Sequence, residues 1–233
     1  MQRTVAIDIG IQTMSMAVLD TLVPSPKTGT HMERVLELLR SASIESWTTS
    51  SLSVATRASL PTLLDATTAW CRDNAEAFAR ANLVVIENQP ARKMQSISVA
   101  IYTMARSLCP PSARVFFQSP LCKLRWDGLQ AYLPQARLDT YWFRKKTAVL
   151  LSVKLLGDAG RTLDADFILG HKKKDDLADA LLHALAALCP APVSRRVGAS
   201  VASGTSVTPR RPRAAPRRSG SSSSPLLPAD NPG

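Results

Sequence analysis

The stretch TVAIDIGIQTMSMAVLD, residues 4–20, decides the fold. Its opening TVAIDIG is apolar and β-branched with one acid, Asp8, and reads as a buried strand that ends near that residue. MSMAVLD, residues 14–20, alternates weakly and pairs with it after a turn around Gly10 to Thr13. A lone carboxylate in a buried strand is costly, so Asp8 is a candidate for chemistry rather than for packing.

Outward from this pair, VPSPKTGT (23–30) is turn chemistry. RVLELLRSASIESW (34–47) stays open, because its leucines favour a helix while its position suits the third strand of a meander. SLPTLLDATTAWCRDNAEAFARAN (59–82) reads as a helix with Ser59 as N-cap and Leu63, Leu64, Thr67, Trp70, Cys71 and Phe78 on its apolar face. LVVIENQP (83–90) is a second apolar strand with Glu87 at its C-terminal end. MQSISVAIYTMARSL (94–108) is an amphipathic helix on Ile97, Ala100, Ile101, Met104, Ala105 and Leu108. ARVFFQSP (113–120) is a third short strand, and residues 140–157 form a helix closed by Gly157. A last helix begins near Asp175 and ends at Pro190. The order describes one α/β domain with a mixed sheet over residues 1–193. Residues 194–233, rich in Pro, Arg and Ser, form a disordered basic tail that cannot build a core.

Of 233 residues, 29 are Lys or Arg and 18 are Asp or Glu, a formal net charge of +11. That excess points to a polyanionic partner, most simply nucleic acid, and the body before the tail is basic by itself. Cys71, Cys109, Cys122 and Cys189 form no CxxC pair, and no His stands at zinc-finger spacing. The N-terminus does not have the pattern of a signal peptide, and no stretch approaches the roughly 18 apolar residues of a membrane span. The expectation is an intracellular protein with reduced thiols.

Four acidic positions stand out. To Asp8 and Glu87 the last helix adds Asp176 and Asp179, three apart on one helix face. Asp175 and Asp179, four apart, fit nearly as well, so spacing alone leaves the register open. Carboxylates that converge repel one another unless cations bind, and a pair of Mg²⁺ ions satisfies them while serving phosphodiester hydrolysis. Basic clusters lie close by: Lys172, Lys173 and Lys174 before the acids, Arg92 and Lys93 after Glu87, and Arg144, Lys145 and Lys146 on the preceding helix. Phosphate contacts from them would draw a DNA backbone over the site.

In the order AIDIGIQTMSMAVLD, VVIENQPARK, KKKDDLADALLHAL, the chain resembles the RuvC-type Holliday junction resolvases of the RNase H-like superfamily. It looks most like the versions in large DNA viruses such as poxviruses and iridoviruses, and in fungal mitochondria. The resemblance spans about residues 3–190. It implies an RNase H-like fold, a five-stranded mixed sheet flanked by helices, and favours the strand reading of residues 34–47. It assigns Asp8, Glu87, Asp176 and Asp179 as metal ligands, preferring Asp176 to Asp175 because DLADAL supplies the family's acid, two residues, Asp, Ala-Leu. It adds a lysine near the scissile phosphate, with Lys146 the better match and Lys123 the weaker. It further implies two Mg²⁺ ions replaceable by Mn²⁺, four-way and branched DNA as substrate, no membrane partner, and a homodimer built on the 94–108 helix. If the source is viral, the place of action is the host cytoplasm or nucleus, and the virion.

His183, four after Asp179, reads as a packed helix residue, with a supporting catalytic role as the alternative, and His171 reads as a surface one. Two other functions share these residues: a DNA-binding protein of the same fold without catalysis, and a ribonuclease on RNA–DNA hybrids. DIG also opens actin-like and Hsp70-like ATPases, but the chain is too short for their two lobes and offers no second glycine-rich phosphate loop.

Overall fold

The computed structural model describes residues 1–22, 28–52 and 58–190, so residues 23–27 of the turn segment and the 194–233 tail lie outside the described residues. Five strands form one sheet in the order β3-β2-β1-β4-β5. β1 (Gln2–Asp8) runs antiparallel to β2 (Met14–Thr21), from Gln2 opposite Thr21 to Asp8 opposite Ser15. On its other side β1 runs parallel to β4 (Leu83–Glu87), with Ile7 opposite Ile86. β4 runs parallel to β5 (Arg114–Gln118), with Glu87 opposite Gln118. β3 (Ala42–Ser50) closes the far edge against β2.

Every residue of β4 is buried between parallel neighbours, which is why LVVI reads as a continuous apolar run, and β2 is buried throughout although it carries Ser15 and Asp20. Side chains alternate between faces. Val5, Ile7, Val84 and Ile86 pack on the side covered by α2 (Leu60–Asp73) and α4 (Arg92–Leu108). Ala6 and Val85 pack on the opposite side, against α1 (His31–Ser41), α6 (Tyr141–Asp158) and α8 (Lys174–Leu188). The same alternation sends Asp8 and Glu87 to the α8 side, at the C-terminal ends of neighbouring strands. From Leu177 to Ala186 every residue of α8 is buried, as befits a helix that is apolar on all sides. Trp47 Nε1 donates to the Leu177 carbonyl at 2.9 Å and ties α8 to β3.

The expected mixed five-stranded sheet is present, and three local expectations change. Residues 34–47 are neither one helix nor one strand. Thr30 and Glu33 form a reciprocal capping box that starts α1, and Val35, Leu38 and Leu39 bury its apolar face. The chain turns extended at Ala42, so the strand reading holds only from there. The helix expected over 59–82 is interrupted at Asn74, whose side-chain amide donates to the Trp70 carbonyl at 2.8 Å; α3 (Ala75–Ala79) follows. Gly157 does not close α6: the helix runs on to Asp158, and the left-handed residue is Gly160, at φ 77°. Two helices were not foreseen, the short α5 (Leu129–Tyr132) and α7 (Thr162–Gly170). Among the described residues no helix is long and apolar enough to cross a membrane.

Candidate active site

β1 ends on Asp8, β4 on Glu87, and the first two turns of α8 carry Asp176 and Asp179. All four border one cleft of about 760 Å³. Asp8, Glu87 and Asp179 are buried, with relative exposures of 5%, 2% and 1%, and Asp176 lies nearer the mouth. The chain turns sharply after Asp8, and a Cβ at Gly10 would overlap the Thr13 carbonyl oxygen. The glycine of DIG therefore serves a close backbone approach beside the carboxylate.

Two lysines enter this cluster. Lys123, from a 3-10 turn at Cys122–Leu124, is 2.8 Å from Asp179 Oδ2 and 3.3 Å from Glu87 Oε1. Lys145, from α6, is 2.8 Å from Asp179 Oδ2, 3.0 Å from Asp176 Oδ1 and 3.4 Å from Asp175 Oδ2. Gln89 donates its amide to Glu87 Oε2 and, at 3.2 Å, to the Ile9 carbonyl. Behind Glu87, the fully buried His183 meets Gln118 Oε1 through Nδ1 at 2.6 Å, and its Nε2 is 3.4 Å from Glu87 Oε1.

The charges shift accordingly. Burial, then the neighbouring Glu87 charge, pushes the Asp8 carboxyl well above its ordinary range. Burial acts the same way on Asp179, but Lys123 and Lys145 outweigh it and hold that carboxyl low. Burial lifts Asp176 despite Lys145. Burial opposes the charge on both lysines, and the surrounding carboxylates, Asp179 first, more than compensate. Burial keeps the His183 imidazole neutral, its pKa pushed down to about 3.

The structure thus brings Asp8, Glu87, Asp176 and Asp179 together, with Asp175 at the edge. Of the basic residues, Lys123, Arg144, Lys145 and Lys173 line the cleft. Arg92, Lys93, Lys172 and Lys174 are exposed outside it, Lys93 donating to the Ala58 carbonyl at 3.2 Å. The lysine placement differs from the expectation: Lys146 is exposed on α6 and not in the cleft, and Lys145 takes the inner place. The apolar face of α6 carried that signal, since Lys145 lies three and seven residues before the buried Ala148 and Ser152. Gln89 and Gln118 carry no spacing signal as single amides, and His183, read from sequence first as a packed helix residue, lies against Glu87.

The donor set fits hard divalent cations, which favour carboxylate oxygens. Asp179 Oδ1 and His183 Nε2 are buried without a hydrogen-bond partner. One donor atom each from Asp8, Glu87 and His183 lie within 4.8 Å of one another.

No protein-family model matches the sequence, and no curated protein matches it. Solved structures do. The fowlpox virus resolvase, crystallised with substrate Holliday junction DNA, is 15% identical over 80% of this chain and 97% of that one, with a TM-score of 0.50. The yeast mitochondrial Holliday junction resolvase is 15% identical over 80% of this chain and 79% of that one, with a TM-score of 0.52. At this identity the likeness shows the fold alone, an α/β domain with a five-stranded mixed sheet flanked by helices.

Proposed function

We propose that this protein is a divalent-cation-dependent endonuclease that resolves four-way DNA junctions. One observation carries the reading: four carboxylates from three separate elements converge with two lysines on the floor of one cleft. A merely structural site has no use for so much buried charge. Asp8, Glu87, Asp176 and Asp179 would hold two Mg²⁺ ions, replaceable by Mn²⁺. When bound, the ions supply an activated water and stabilise the leaving oxygen.

The protein's own groups do the rest. Gln89 fixes the rotamer of Glu87, and the Asp179 carboxylate is held ionised between two ammonium groups. Lys145, reaching Asp176 near the mouth, is the cation best placed to meet the scissile phosphate. Arg144 and Lys173 on the cleft wall engage neighbouring phosphates. Junction DNA is favoured as substrate by the shared fold with two resolvases. A homodimer through α4, whose Val99 is 56% exposed, would set two sites on one junction for paired nicks during processing of recombination intermediates.

The test uses purified full-length protein with a labelled four-way junction, a linear duplex of equal length and an RNA–DNA hybrid, in Mg²⁺ and in EDTA. The expected result is paired nicks with 5′-phosphate and 3′-hydroxyl ends on the junction alone, only in Mg²⁺. Junction binding without cleavage in any divalent cation would identify a non-catalytic binder, and cleavage confined to the hybrid an RNase H-type enzyme.

A further inference from the structure

We infer that His183 Nε2 is a nitrogen ligand at the floor of the cation site, beside Asp8 and Glu87, and that it biases the inner position towards Mn²⁺ over Mg²⁺. The inference rests on reading the carboxylate cluster as a cation site.

Gln118 Oε1 is a carbonyl oxygen and only accepts, so the 2.6 Å contact requires the proton on His183 Nδ1. Nε2 then carries a lone pair. That lone pair faces Glu87 Oε1 at 3.4 Å, another acceptor, and Nε2 has no hydrogen-bond partner. Two buried acceptors aimed at each other are unfavourable unless a cation lies between them. The Lys123 ammonium does not take that role, since it is directed to Glu87 Oε1 and Asp179 Oδ2. Asp8, Glu87 and His183 can each turn one donor atom within 4.8 Å of the others, a spread suited to one ion. An imidazole whose second nitrogen is held by a neighbouring side chain is the usual support for a metal-binding histidine. Placement agrees: His183 is one turn deeper on α8 than Asp179, and Gln118 ends the strand beside Glu87. Mg²⁺ binds almost wholly through oxygen, so a nitrogen donor adds little for it.

The probe is Mn²⁺ alone, titrated into the full chain with natural and with ¹⁵N-labelled histidine. Pulsed EPR should show nitrogen coordinated directly to Mn²⁺, with a coupling that changes on ¹⁵N labelling. The chain has three histidines, so His183→Gln should abolish the coupling and His171→Ala keep it. Calorimetry should find Mn²⁺ affinity about tenfold weaker in His183→Gln, with Mg²⁺ affinity changed less than about threefold. If His183→Gln fails to fold, the labelled spectrum of His171→Ala decides, since His31 Nε2 is already bonded to the Cys189 carbonyl outside the cleft. Stoichiometric Mn²⁺ binding without histidine coupling, or an Nε2 that donates to Glu87 in the loaded protein, would overturn the inference and leave the cation site standing. No stoichiometric Mn²⁺ binding at all would overturn both.

Discussion

Lys145 Nζ stands 2.8 Å from Asp179 Oδ2, and Asp179 is 1% exposed, so this ion pair is built into the fold. Lys123 reaches the same oxygen at 2.8 Å. A carboxylate that anchors two ammonium groups has two separable roles: it neutralises them in the free protein, and under the proposed function it helps hold cations. Asp179→Asn is therefore expected to abolish junction cleavage. In EDTA it should also destabilise the fold by about 3 kcal/mol, the low end for breaking a buried pair, because Lys145 keeps Asp176 and Lys123 keeps Glu87. Urea denaturation and a cleavage assay measure the two effects separately. Full activity in the variant would remove Asp179 from the site.

The two neighbouring lysines of α6 give a sharper contrast. Lys145 lies among the carboxylates, and Lys146 faces solvent. Lys145→Met is expected to slow single-turnover cleavage by at least about a hundredfold, the usual scale for removing one preorganised donor. Lys146→Met should stay within about twofold of wild type. The reverse pattern would show that α6 turns on binding DNA.

What could be read from sequence follows from how local each signal is. Asp8 stood out because a lone carboxylate in a buried apolar run is costly. Glu87 by itself fitted a solvated strand end equally well, and only the set of four acids and the family resemblance singled it out. Asp176 and Asp179 needed helical spacing, and the structure places both on the cleft while leaving Asp175 38% exposed. The break between α1 and β3 was hidden because leucine-rich helix and alternating strand abut with no turn residue between Ser41 and Ala42. Lys123 and His183 owe their positions to β5, α8 and the turn at Cys122–Leu124 meeting in space, which no local pattern encodes.

The sheet carries its own ion pair away from the cleft. Arg3 and Asp20 lie opposite each other on β1 and β2, and Arg3 Nε donates to Asp20 Oδ1 at 2.7 Å with both side chains buried. Asp20→Asn leaves a buried guanidinium with Glu45, 3.9 Å away, and the more remote Glu76 to offset it. The expected loss is about 3–5 kcal/mol, read as a lowered urea midpoint with an unchanged slope. A loss below about 1 kcal/mol would mean that water reaches Arg3.

The cysteines offer a test of the same fold from thiol chemistry. Cys71, Cys109 and Cys189 are buried, and Cys122 is half-buried in the turn that delivers Lys123. Burial pushes the Cys71 thiol up to about 12 and raises Cys109 as well, and only the thiolate reacts. At pH 8 a water-soluble aromatic disulfide should titrate one thiol quickly, and Cys122→Ser should remove that phase. The sign of the pH dependence follows from the raised folded-state value of Cys71. Its buried neutral form contributes stability that is complete below the ordinary thiol range near 8.5. That contribution is lost as pH climbs towards about 12, so Cys71 should become reactive only as the fold opens in alkali. Because Leu121 and Lys123 on either side of Cys122 line the cleft, saturating junction DNA should slow the Cys122 phase. Unchanged labelling in the presence of bound junction would mean that DNA does not cover this cleft.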